Sequence, residues 1–138
     1  MAIEDIFNVA GSALNAQTTR MNTTASNLAN ASTVAGSEDG AFRAKRAVFK
    51  SILADQMADS NAGGIKVEKL IDDPSPIRKM SEPGNPVADK DGYIYLSNVN
   101  EMTEMVEMMA ASRSYQNNVE VVNTARQLMM RTIDIIKN

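Results

Sequence analysis

Proline and glycine are almost confined to the middle of this 138-residue chain. Ile3 to about Thr33 has no proline and a single glycine, Gly11. The stretch from Gly36 to Asn100 holds all four prolines (Pro74, Pro76, Pro83, Pro86) and every other glycine, and Glu101 to Asn138 has neither. These two residues interrupt helices and build turns. Their partition therefore predicts a long helix at each end with an irregular, strand-bearing segment between. At ~1.5 Å per residue each helix is expected to run roughly 45–55 Å, longer than the middle can cover.

Both ends carry a seven-residue apolar repeat. In the first, Phe7, Leu14, Met21 and Leu28 form one row, and the row three residues further on is Ala10, Gln17, Thr24 and Ala31. A strict seven-residue row packs best against another helix, but the half-polar companion row makes this seam poor. The last helix has the better seam: Met108, Tyr115, Val122, Met129 and Ile136, flanked by Met105, Val119 and Ile133. Asn98 and Glu101 have the spacing of a capping box, and Lys137 in the final turn suits the helix dipole. Six of the ten methionines lie here (Met102, Met105, Met108, Met109, Met129, Met130), fit either for core filling or for an adaptable interface, because unbranched thioethers repack easily.

Composition then removes whole classes of chemistry. The chain has no Cys and no His, which excludes thiol nucleophiles, disulfides, thiolate or imidazole metal sites and His-based proton transfer. Aromatic residues are 4% with no Trp, so the core must be built from aliphatic side chains, Ala and Met. The formal net charge of −3 argues against a nucleic-acid binder. Val119–Ile136 is interrupted by Glu120, Arg126, Arg131 and Asp134 and falls short of the ~20 apolar residues that span a bilayer, so no direct membrane insertion is expected. The acidic start, Glu4-Asp5, is unlike a secretory signal, and any export is expected to cleave none.

In the middle, Ile65–Glu68 alternates after Gly63-Gly64, and Leu70-Ile71 leads into Asp72-Asp73-Pro74. Tyr93–Leu96 follows a turn at Asp89-Lys90-Asp91-Gly92. Pro83–Pro86 reads as loop, and Phe42–Leu53 as a strand followed by a helical turn. Asp89, Asp91 and Gly92 invite a calcium reading, but the first ligand position would fall on Val87, which cannot coordinate; a glycine-bearing turn accounts for them. Arg43, Lys45 and Arg46 beside Phe42 and Val48 read as the solvated face of a strand or as cations for a neighbour's acids. Asp72-Asp73 has no residue spaced to tune it. No catalytic, cofactor-binding or metal site is expected, and no cofactor.

The residues stop being generic at Ala25–Thr33. The run Ser26-Asn27-Leu28-Ala29-Asn30 resembles the signature that ends the first helix in the bacterial flagellar rod and hook axial proteins. Val34-Ala35-Gly36 replaces the family's usual Pro-Gly-Tyr. Phe42–Arg46, Asp73–Lys79, Glu82–Pro86, Asp91–Leu96, Asn98–Asn100 and Ala111–Glu120 are similar to the proximal-rod branch, so the resemblance runs almost end to end.

That resemblance implies a structural subunit of the basal-body rod, the driveshaft that carries torque for motility. It implies export without a cleaved signal through the flagellar type III apparatus and a place in the periplasmic rod. The partners it implies are the axial proteins FlgB, FlgF and FlgG, other copies of the chain, the adapter FliE and the membrane ring FliF. A mainly α fold is expected: long N- and C-terminal helices (1–36 and 98–138) packed as a coiled-coil-like layer, with a small β/loop insertion (37–97). The expected partner-binding residues are Phe7, Leu14, Met21, Leu28, Met108, Tyr115, Val122, Met129 and Ile136. Without the resemblance, a soluble coiled-coil module such as an export adapter or chaperone is the alternative.

Overall fold

The computed structural model describes residues 3–52 and 63–137. In chain order its elements are α1 (Ile3–Ala29), β1 (Val34–Ala35), β2 (Lys45–Ile52), β3 (Gly64–Asp72), β4 (Arg78–Ser81), β5 (Tyr93–Leu96) and α2 (Glu101–Lys137). The two helices pack antiparallel. Ser32 meets Glu101, Asn27 meets Glu104, and Arg20 pairs with Glu107. At the far end Ile6 lies beside Val121, Thr124, Ala125 and Leu128. Because α2 has 37 residues and α1 has 27, α2 runs on past the start of α1. Residues 131–136 are all exposed.

The seam differs from the row the sequence favours. Its innermost residues are Ala10, Ala16, Thr24 and Asn27 on α1, against Glu104, Ala111 and Ala125 on α2, all buried. Phe7, Leu14, Met21 and Leu28 are only half-buried, as are Met108, Tyr115, Val122 and Met129. Small side chains let two helix backbones approach closely, and larger ones then flank the contact line. So the helical part of the row that reads as poor, Ala10-Gln17-Thr24, faces the partner, and Ala31, past the end of α1, packs with Ala44 and Val99. Gln17 bears the cost, for its Oε1 is buried without a hydrogen-bond partner.

The class is also corrected. Among the described residues helices hold 50% and strands 22%, in two antiparallel sheets, so the fold is α+β rather than mainly α with a small β insertion. One sheet has the order β1-β5-β4 and the other is the β2–β3 hairpin, with a register shift between Val48 and Phe49. β1 has two residues and β4 is Arg-Lys-Met-Ser, exposed throughout, so neither carries the alternation that marks a strand. β2 continues as one strand through Ile52 where a helical turn is expected; Leu53 lies outside the described residues.

A two-stranded hairpin is marginal by itself, and this one leans on α1. The Ser12 hydroxyl accepts the Ile65 N–H at 3.1 Å, and a Cβ on the neighbouring Gly64 would come within 3.0 Å of that oxygen. The three-stranded sheet closes the other end of the helix pair. There Ile94 is buried, and Ala31, Ala44 and Val99 form a small cluster with Phe42 against it. The Ser97 hydroxyl donates to the Ala31 carbonyl at 2.6 Å, tying the end of α1 to the chain entering α2.

Candidate assembly surface

The site begins at a buried polar junction where α1, α2 and β2 meet. Asn27 is fully buried. Its Oδ1 accepts the Lys45 N–H at 2.7 Å and its Nδ2 donates to the Lys45 carbonyl at 2.9 Å. One side chain thus stands where a neighbouring strand's backbone would stand, and this is how a helix holds the edge of β2. Nδ2 also donates to Glu104 Oε2 at 3.0 Å. Glu104, fully buried on α2, accepts at its other oxygen from Arg46 of β2 at 2.7 Å. A buried carboxylate is tolerable only when paired and hydrogen-bonded, and Glu104 is both.

Arg46 reaches Asp73 as well, Nε to Oδ2 at 3.3 Å. Burial works against the Arg46 charge, but the hydrogen bond and charge of Glu104, joined by those of Asp73, leave its pKa above the ordinary value. Asp73 accepts from the Ser75 hydroxyl and N–H, and these bonds, helped by Arg46, hold its carboxyl below the usual range. Asn98 completes the junction rather than capping α2. Its Oδ1 accepts the Ala44 N–H at 2.7 Å while its Nδ2 donates to the carbonyls of Asp73 and Ser75. The cap of α2 is Asn100, whose Oδ1 accepts the Thr103 N–H at 3.1 Å.

Residues singled out for other chemistry are engaged in this framework. Lys45 pairs with Asp72, and Arg43 lies 3.8 Å from Glu38. The Asp89 carboxylate accepts the N–H groups of Tyr93 and Asp91 and the Tyr95 hydroxyl, which together hold its pKa below the usual range. Gly92 has φ +78°, the conformation a glycine-bearing turn requires. A groove of about 460 Å³ between hairpin and helices is lined by Arg20, Arg46, Phe49 and Glu107 among others, with its charges already paired.

Open apolar surface lies on the strands, at Ile65, Leu70 and Met80 for instance, and more extensively on the helices. Of the expected partner-binding residues, Ile136 is 79% exposed and Met108, Tyr115, Val122 and Met129 are half-buried along the seam's edge. Beyond the start of α1, Ile133, Ile135 and Ile136 are exposed on more than one side of α2. Near its other end Met102, Met105, Val106 and Met109 form an exposed face with the i, i+3, i+4, i+7 spacing of one helix side. Met102, Met105 and Met109 are among the methionines that the sequence offers for core filling or an adaptable interface; Val106 and the one-sided spacing go beyond that reading. The spacing is legible in the sequence: residues 102–109 hold five apolar residues, and four of them are out of phase with the Met108-Tyr115-Val122 row. No helix among the described residues is long and apolar enough to cross a membrane.

Comparison with known proteins bears on these surfaces. Residues 7–36 match the family described as flagella basal body rod protein, and residues 90–135 match that described as flagellar basal body rod FlgEFG protein C-terminal. The flagellar basal-body rod protein FlgC of Yersinia enterocolitica is 47% identical, with 98% of each chain covered. That of Salmonella typhimurium is 46% identical and that of Buchnera aphidicola subsp. Baizongia pistaciae 34%, over the same share.

Proposed function

The chain belongs to the FlgC family of flagellar basal-body rod proteins and is a structural subunit of that rod, and from this premise we propose that it assembles through its terminal helices. Family membership sets aside the free adapter or chaperone. Apolar surface left in water costs about 25 cal/mol per Å² relative to its burial, and the bare end of α2 gains that only from a neighbour. The observation that carries the proposal is this overhang, where Ile135 and Ile136 are more than three-quarters exposed.

Phe7, Leu14, Met21 and Leu28 with Met108, Tyr115, Val122 and Met129 flank the seam and supply its outer contacts, and Ile136 makes its contacts from the overhang. The helical units 1–36 and 98–138 form the axial part, and 37–97 locks them together through Asn27, Arg46 and Glu104. Contacts that repeat without closing a ring build a helical tube, and such a tube transmits torque. Other axial proteins (FlgB, FlgF, FlgG and further copies of this chain), the adapter FliE and the ring FliF are the proposed neighbours. Export by the flagellar type III apparatus without signal cleavage, to the periplasmic rod, is part of the same reading.

The test is Ile133→Glu with Ile136→Glu. The purified variant keeps its helix content, since neither residue is in the seam, while cells carrying it fail to incorporate the chain into basal bodies and do not swim. Normal swimming overturns assembly through the end of α2.

A further inference from the structure

Two of the bare apolar surfaces lie at opposite ends of one helix, and together they suggest what each one meets. We propose, resting on assembly through the terminal helices, that the face formed by Met102, Met105, Val106 and Met109 receives the last turns of α2 from a second copy of this chain. Three observations select that occupant. Both surfaces are apolar and span about two turns, so their lengths match. Among the described residues neither has an intramolecular cover: Met102 is 72% exposed at one end and Ile136 79% at the other. Their charges are opposite as well. The first three turns of α2 carry Glu101, Glu104 and Glu107 with no cation, whereas residues 126–137 carry Arg126, Arg131 and Lys137 against Asp134.

Glu104 and Glu107 are already paired with Arg46 and Arg20, so Glu101 at the rim is the acid left to meet the incoming basic turns. The i, i+3, i+4, i+7 ridge of the Met face fits the grooves of another helix, and thioether chains adjust to an isoleucine-rich partner at small cost. Such a contact joins different patches on the two subunits, so it propagates rather than closing.

A photocrosslinking amino acid at Met105 in swimming cells tests this, with mass spectrometry of the adducts from purified basal bodies. The expected adduct joins Met105 to residues 128–136 of a second copy of this chain. A probe at Val87, in the loop before β5, gives no such adduct. An adduct to any other region overturns the docking while leaving helix-mediated assembly standing. No inter-subunit adduct from probes at Met105, Met109, Met129 or Ile136 overturns both. If the probe at Met105 blocks incorporation, Met109 takes its place under the same criteria. Independently, Met102→Glu with Met109→Glu keeps the helix content of the purified chain and reduces swimming by tenfold or more; unchanged swimming overturns the docking.

Discussion

Replacing Asn27 by Ala removes three hydrogen bonds at once from the point where both helices meet the hairpin. Two are to the Lys45 backbone, and each contributes roughly 1 kcal/mol; the third is to the Glu104 carboxylate and contributes about 2. Bonds that share one side chain are not additive, so the expected loss is about 3–4 kcal/mol, a large part of the 5–15 kcal/mol typical of a domain. With a urea m-value of about 2 kcal/mol/M, the unfolding midpoint falls by roughly 1.5–2 M when followed by far-UV circular dichroism. Asn30, in the same Ser26–Asn30 run, is the control. Its amide, in the turn just past α1, donates to the Ser26 carbonyl of the helix's last turn, and Asn30→Ala shifts the midpoint by no more than ~0.3 M, a surface-sized effect. If Asn27→Ala and Asn30→Ala shift the midpoint equally, the junction does not hold the hairpin to the helices.

Three further expectations follow from the seam and the junction. Ala111→Leu forces a large side chain into a fully buried position between the helices and destabilises by about 1–3 kcal/mol, read as a lower urea midpoint. Gln17→Met removes the unpaired buried oxygen and raises stability by about 1 kcal/mol, visible as a higher thermal midpoint; a lower midpoint contradicts this reading of the seam. The depressed Asp73 and Asp89 carboxyls bind fewer protons folded than unfolded. Their contribution is complete above the unfolded value of about 3.9 and is lost as pH falls through the depressed folded values. The urea midpoint accordingly drops in that acid limb, and Asp73→Asn makes the drop shallower.

The sequence showed the helices plainly because proline and glycine punctuate without regard to tertiary context. Ile65–Glu68 and Tyr93–Leu96 were legible as strands because they alternate or concentrate β-favouring residues. Strands β1 and β4 were not, for Val34-Ala35 is too short to show a period and Arg78–Ser81 gains its conformation from pairing with β5. This is why the β content was undervalued and the class misjudged. The helix seam misled for another reason: hydrophobic pattern rewards size, whereas close helix approach rewards Ala, Thr and Asn. Glu104 gave one clue, since it shares a seven-residue row with Ala111 and Ala125, and a carboxylate in a buried row demands a cation. Nothing in the local pattern names Arg46, 58 residues away, as that cation. Asn98 was misread because its spacing to Glu101 imitates a cap, while its amide is spent on the loop backbone.

Hydrogen exchange, followed by mass spectrometry on the purified chain and on intact basal bodies, tests most directly whether the helix pair is completed by its neighbours. In the isolated chain, amides at 23–31 and 104–111 exchange slowly and those at 128–136 exchange fast; in basal bodies both sets are slow. Equal protection of 128–136 in the two samples contradicts assembly through the end of α2.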